Sequence, residues 1–363
     1  MNQDFILGRL SEIMGWENVQ ASREFAWLRL MSQMKYDGYQ DFLAGMRFIE
    51  SLADWLQQFK GADRATAYGF VRSTLVYLSA AELNHLVELF YPETVQWRLQ
   101  QEVASRESLP PFRVWATAAS KAAYRRLLRQ TLFIELSDGA RIDVFRRANA
   151  GTISNEQVVT APRVNEDKWG ELLDDLRKDL DDGDARFAFV FLIDDFIASG
   201  TTLLREEDGK WKGKLPKFWT DVKPYLTTHF EPGWKLCVHH YLMTHRAWVT
   251  VDERQAAALA AKGKDSWFEG VQFSFGMLLP EAFPLDEARH SEFIRLTERH
   301  YDPAIETRHT GPDIWLGFRQ CGLPLVLEHN TPNNSVAILW AESGQNPRGH
   351  AMRPLFRRRQ RHT

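Results

Sequence analysis

Along the first hundred residues, apolar positions recur at helical spacing. Phe48, Leu52, Trp55 and Phe59 follow at steps of four and three, which stacks them on one helical face. Ser79-Ala80-Ala81-Glu82 is a capping-box pattern that opens another helix running toward Phe90, and Tyr91-Pro92-Glu93 breaks it. No strand-like alternation occurs in this stretch, so residues 1–109 read as a helical N-terminal domain. Ser108-Leu109-Pro110-Pro111 marks its end, because two prolines cannot continue a helix. Beyond it the texture changes. A helix fits 113–130, and Thr131–Leu136 is an apolar run of strand length. Residues 166–182 are charged and helical, and Phe187–Ile193 has the pattern of a buried strand. Trp234–Leu242, Val271–Phe275 and Pro324–Glu328 are further strand candidates, with helix at 246–262 and 285–299. Strands alternating with helices imply an α/β domain over 110–345, built on a parallel or mostly parallel sheet covered on both faces. Residues 346–363 form a basic tail, with six arginines and no acid from Arg348 onward. Such a tail is either solvated and partly disordered or a contact for phosphate or nucleic acid.

Composition narrows the classes. At 363 residues the chain exceeds what one core usually supports. Hydrophobic residues at 44% and charged residues at 26% are a globular balance. A net charge of −3 provides no field toward nucleic acid or membrane. Two cysteines, Cys237 and Cys321, are too few for a disulfide framework or a cysteine metal site. The start, Met1-Asn2-Gln3-Asp4-Phe5, lacks the basic and apolar regions of a signal peptide, and no apolar run approaches the ~18 residues of a membrane span. A cytoplasmic protein without membrane contact is expected.

The chemistry concentrates in Phe189–Thr202. An apolar strand delivers Asp194 and Asp195 at its C-terminal end, where ligands bind in open α/β sheets. The small, hydroxyl-rich turn Ala198-Ser199-Gly200-Thr201-Thr202 follows and is expected to open a helix through Leu203 and Leu204. Backbone amides at a helix start bind anions, and Gly200 lets the chain curl around one. Paired carboxylates suit vicinal ribose hydroxyls. The plain alternative is an Asp-Asp pair capping a helix. A second element, Ser137-Asp138-Gly139-Ala140-Arg141, also follows a strand. Here Arg141 offers charge to a pyrophosphate and Gly139 allows close approach, unless this is only a turn with a surface arginine. A third is the polar loop Glu328–Ser335, expected between two apolar strands. Its His329, Asn330 and Asn333 either bind a ligand or cap backbone in a Pro-Asn-Asn turn.

The fourteen residues Phe189–Thr202 resemble the signature of type I phosphoribosyltransferases, in which two acids and a Thr/Ser-Gly-Thr turn grip phosphoribosyl diphosphate. Ala198 and Thr201 depart from it, since the family often has threonine and glycine there. More narrowly, Ser137–Arg141, Ile153-Ser154-Asn155-Glu156-Gln157-Val158, Asp194–Thr202 and Glu328–Ser335 ahead of Leu339-Trp340 resemble phosphoribosyltransferase-like effectors of bacterial conflict systems. Some of these are encoded beside the reverse transcriptase of retrons. The resemblance covers most of 112–345. It implies a sheet of the type I phosphoribosyltransferase kind and anti-phage defence by attack on, or sensing of, a nucleotide. It also implies control by a partner such as a reverse transcriptase–nucleic acid complex.

The resulting expectation is glycosyl chemistry at ribose C1′ of a nucleotide or phosphoribosyl diphosphate. Asp194 and Asp195 are the catalytic candidates on the ribose, Ala198–Thr202 take the 5′-phosphate, and Ser137, Asp138, Gly139 and Arg141 take pyrophosphate. Mg²⁺ is expected with the pyrophosphate, since it prefers phosphate and carboxylate oxygens. No acid or base is tied to the signature, so a non-catalytic nucleotide sensor that docks a partner through 1–109 is the rival reading. His239-His240 fall on opposite faces of a strand, which argues against a protein metal site. Arg246, just past that strand, is a further candidate for phosphate or base contact. Cys237 reads as a buried, inert thiol.

Overall fold

The run Phe187-Ala188-Phe189-Val190-Phe191-Leu192-Ile193 has no polar position to turn toward water. It forms the body of a strand covered on both sides, as such a run must. The computed structural model describes residues 3–160, 164–262, 271–307, 310–344 and 351–358. Among these, nine strands form: β1 (Val76–Leu78), β2 (Thr131–Glu135), β3 (Val158–Val159), β4 (Phe187–Ile197), β5 (Arg205–Glu207), β6 (Lys210–Lys212), β7 (Phe230–Thr244), β8 (Val271–Leu279) and β9 (Leu325–Leu327).

Five of them make one sheet in the order β3-β2-β4-β7-β8, with every neighbouring pair parallel. The α/β class with a parallel central sheet is therefore as expected, and helix fills the crossovers that parallel pairing demands. Counted along the chain the order is 2-1-3-4-5, so the winding reverses between β2 and β4. In such sheets that reversal opens a crevice at the C-terminal strand ends. β4 and β7 run well past the apolar runs that predicted them.

The chain divides into two compact units, residues 1–82 with 281–363, and residues 83–280. The second unit holds the five-stranded sheet. On one face, Leu132, Ile134, Val190, Leu192 and Val238 pack with helices Glu166–Leu180, Lys214–Val222 and His245–Lys262. On the other, Phe133, Phe189, Phe191 and Ile193 pack with helices Gln96–Arg106, Ala118–Arg129 and Ile142–Ala148. Phe191 is fully buried, with its ring centroid 5.6 Å from those of both Phe90 and Phe133.

In the first unit Phe48, Leu52, Trp55 and Phe59 are all fully buried, as their spacing predicts. Trp55 donates its indole N–H to the Ile338 carbonyl at 2.8 Å, and Phe70 stacks on Phe293 at 3.8 Å. Three expectations change here. Residues 1–109 are not wholly helical, because Val76-Tyr77-Leu78 forms β1. It pairs in parallel with β9, which was expected in the α/β core. Pro110-Pro111 is not a boundary between units: it lies inside the second one, while residues 281–363 join the first. The tail is not solvated throughout. Leu355 and Phe356 are fully buried, and Phe356 lies among the rings of Tyr36, Tyr39, Phe48 and Tyr77. The remaining tail residues, 346–350 and 359–363, lie outside the described ones. No helix among the described residues is long and apolar enough to cross a membrane.

Truncating the centre of the second unit tests this layering. Phe191→Ala leaves a cavity between two rings and costs about 3–5 kcal/mol, read as a lowered midpoint of urea unfolding. Phe112→Ala, at a side chain 74% exposed, shifts stability by no more than about 0.5 kcal/mol.

Candidate functional site

Alternation along β4 decides where its acids go. Val190 and Leu192 lie in one core layer, Phe191 and Ile193 in the other, so Asp194 and Asp195 leave on opposite faces of the sheet. Asp194 pairs in register with His240 of β7 and is buried. Its Oδ1 accepts from the Ser137 hydroxyl, and from the Asp195 amide at 3.2 Å. Its Oδ2 accepts from the Lys214 ammonium, with His240 Nε2 3.9 Å away. Burial pushes the Asp194 carboxyl up to about 6, against the pull of Lys214 and with a push from Asp195. Burial, and then Lys214, lower the His240 imidazole to about 3, so that ring is neutral near pH 7.

Asp195 turns to the other face. A Cβ at Gly139 would overlap its carboxylate, so the 137–141 turn closes onto Asp195 because position 139 has no side chain. Tyr241 on β7 belongs to the same face. Its hydroxyl is buried and has no hydrogen-bond partner among the described residues, and burial with the nearby Asp195 charge raises its pKa. Asp138 is exposed. Arg141 takes a left-handed backbone (φ +48°) and donates to the Asn84 side chain at 2.9 Å. Two elements read separately from the sequence, 137–141 and 194–202, thus meet between β2 and β4.

The turn after β4 does not open a helix. Asp208 and Gly209 both have positive φ, the two-residue turn that folds β5 and β6 into an antiparallel hairpin. The helix begins only at Lys214. The amides of Lys214 and Leu215 donate to the carbonyls of Thr202 and Leu203 at 3.0 and 3.1 Å. A Cβ at Gly213 would overlap the Leu203 carbonyl. The helix start is thus spent on the turn's own backbone. In the turn itself Ala198, Ser199 and Gly200 are buried, Thr201 is half-buried and Thr202 is exposed. The Ser199 hydroxyl donates to that of Thr201 at 3.2 Å. Gly200 (φ +72°) packs on Thr250 and Val251 of helix His245–Lys262. Arg246 stands exposed in the first turn of that helix, beyond the C-terminal end of β7.

The loop Glu328–Ser335 belongs to the first unit. It runs from β9 to the short helix Ala337–Trp340, not to a second strand. Much of its polarity is spent internally. Gln40 donates to Glu328 at 2.6 Å, the His329 ring lies 3.2 Å from Glu328, and Ser335 donates to the Leu325 carbonyl at 2.6 Å. The Asn330 amide donates to Leu327, and the Asn333 carbonyl accepts from Phe318 at 2.6 Å. Lys214, His240 and Tyr241 are the site residues whose part the sequence concealed. For Lys214 a signal existed: Asp208-Gly209 between charged residues marks a hairpin that returns the chain to β4.

Glu135, at the end of β2, carries a buried carboxyl that burial and nearby Asp138 push up to about 7, against Arg146. The folded chain therefore holds this proton more tightly than the unfolded chain, whose carboxyl titrates near 4.5. Stability from this group is present at low pH and is lost as pH rises from about 4.5 through 7. Glu135→Gln flattens that part of the profile, so melting temperatures of variant and parent differ more at pH 8 than at pH 4.

The family described as PRTase-CE matches residues 52–358, most of the chain. No curated protein and no solved structure matches it. With the parallel sheet, its strand order and the meeting of the two loops beside Asp194 and Asp195, this match settles kinship: the chain belongs to the PRTase-CE family, a phosphoribosyltransferase-like family, and its α/β core is of the type I phosphoribosyltransferase kind.

Proposed function

We propose that the crevice between β2 and β4 binds a phosphorylated ribose, as a nucleotide or phosphoribosyl diphosphate, and supports bond exchange at C1′. The observation that carries this reading is the closure of the 137–141 turn onto the acid pair: Ser137 bonds Asp194, and Gly139 lies against Asp195. In this reading Asp195 accepts from ribose hydroxyls, and Asp194 orients Ser137 and Lys214 around them. The 198–202 turn takes the 5′-phosphate, with Thr201 and Thr202 as its reachable hydroxyls. Arg141 and the 138–139 backbone take pyrophosphate, and Arg246 is a further anion contact. The buried Tyr241 hydroxyl, which has no hydrogen-bond partner among the described residues, is a further polar group for a ligand on the Asp195 face. Glycosyl exchange passes through an oxocarbenium-like state, so positioning and neutralisation of the leaving group carry most of the work.

Hard oxygen donors cluster here in Ser137, Asp194 and Asp195, which suits Mg²⁺. Asp195, on the face of Gly139 and Tyr241 where the 137–141 turn closes, is the carboxylate that would bind the ion, together with the substrate's own pyrophosphate oxygens. Its contribution when bound would be to neutralise charge on the leaving pyrophosphate.

The biological setting we infer is that of a cytoplasmic effector in bacterial anti-phage defence, supported by the resemblance of the four motifs to such effectors. A second reading, a non-catalytic nucleotide sensor that docks a partner such as a reverse transcriptase–nucleic acid complex, is favoured by one feature. Helix Asn18–Met34 exposes Val19, Leu30 and Met34 on one side, at 86%, 58% and 71%.

Asp194→Asn with Asp195→Asn weakens binding of phosphoribosyl diphosphate at least tenfold by calorimetry, since a hydrogen bond to a charged group contributes about 1.5–3 kcal/mol. A folded double variant with unchanged affinity would falsify the ribose assignment. Incubating the protein with nucleotides and phosphoribosyl diphosphate, with and without Mg²⁺, releases base or pyrophosphate if the site is catalytic. Binding without turnover selects the sensor reading.

A further inference from the structure

The stretch Ile153–Val158 has no part in the crevice just described. It borders a cavity of about 750 Å³ on the opposite edge of the sheet. The walls come from segments that lead into the N-terminal ends of β2 and β3, whereas Asp194 and Asp195 stand near the C-terminal end of β4. Helix Ala118–Arg129 supplies one wall. Tyr124 and Leu128 are four residues apart, as are Arg125 and Arg129, so an apolar row and a basic row run side by side. Trp115 packs against Tyr124 with ring centroids 4.7 Å apart, yet stays 39% exposed. The Tyr91 hydroxyl lies 3.2 Å from that of Tyr124.

Arg129 donates its Nε to Asp179 at 2.7 Å, but its Nη2 is buried with no hydrogen-bond partner among the described residues. A buried guanidinium N–H left unpaired is costly, and an anion is the ligand that would satisfy it. Across the cavity the chain turns at Gly151 (φ +82°) and brings in Ser154 and Asn155. Two arginines, an incompletely covered indole and a rim of hydroxyl and amide groups suit a planar ring joined to an anion through a polar spacer. The volume falls within the ~300–1,000 Å³ of small-molecule sites.

We propose that this cavity is a second ligand site, for a nucleoside monophosphate, whose base stacks on Trp115 and whose phosphate is held by Arg125 and Arg129. Strand β2 and, from Arg141, helix Ile142–Ala148 both run between it and the first site. Arg129 lies two residues before β2 and Ser137 two after it, and the strand between them spans roughly 16 Å at about 3.3 Å per residue. A ligand here is therefore separate from the one at the acid pair.

The test uses the full chain carrying Asp194→Asn and Asp195→Asn, which disables the first site and leaves the cavity intact. Calorimetry with AMP, GMP, CMP and UMP shows binding of at least one. Adding Trp115→Ala or Arg125→Glu weakens it at least tenfold while each variant keeps its circular dichroism spectrum and a cooperative melt, since both positions lie at the surface. Affinity retained by both folded variants overturns the proposal. So does failure of all four ligands to bind the acid-pair variant at millimolar concentration. Nucleotide binding that the wild type shows and the acid-pair variant loses belongs to the first site alone, and it too overturns the second.

Discussion

A carboxylate withdrawn from water must be met by charge and by hydrogen-bond donors, and the architecture around β4 is organised by that demand at Asp194. Ser137 meets one oxygen and Lys214 the other. Ser137 comes from the turn after β2, and Lys214 comes from a helix that begins only after a hairpin. The fit depends on two glycines. Gly213 permits contact with the Leu203 carbonyl, which places Lys214, and Gly139 permits the 137–141 turn to close on Asp195. Removing the Asp194 charge would leave the Lys214 ammonium without its counter-charge.

The two acids are neighbours in sequence but not in environment. Because strand side chains alternate, Asp194 lies with Lys214 and the neutral His240, and Asp195 with Gly139 and Tyr241. Division of labour follows. Asp194 is enclosed and holds the two loops together, while Asp195 stands on the face of Tyr241, whose buried hydroxyl has no hydrogen-bond partner among the described residues. The reversal of winding between β2 and β4 makes room for this, since the chain leaves those two strand ends in opposite directions along the sheet.

Legibility in the sequence tracked the range of the interactions. The run Phe187–Ile193 and the helical face of Phe48, Leu52, Trp55 and Phe59 are local patterns, and both appear as read. The 194–202 motif and the 137–141 turn were legible as separate elements. Val76-Tyr77-Leu78 was not legible as a strand, because three residues carry no period and its partner is β9, some 250 positions away. The tail misled for a similar reason. Its arginines suggested solvent, but Leu355 and Phe356 found an aromatic core assembled from residues 36–77. The Glu328–Ser335 loop looked like ligand chemistry because its polar groups are dense, and bonds within its own unit use much of that polarity.

Hydrophobic periodicity and the order of chemical types along a short segment determined the α/β class, the buried strand with its two acids, and the kinship with phosphoribosyltransferases. These depend on backbone geometry and on contacts between near neighbours, which sequence spacing encodes directly. Tertiary structure alone decided that Lys214 reaches Asp194 and that the Tyr241 hydroxyl is buried with no hydrogen-bond partner among the described residues. It also decided that β9 joins β1 and that the Ile153–Val158 stretch borders a cavity of its own. Each of these joins residues far apart in the chain, and which distant groups meet is set by how packed layers close over one another rather than by any local pattern.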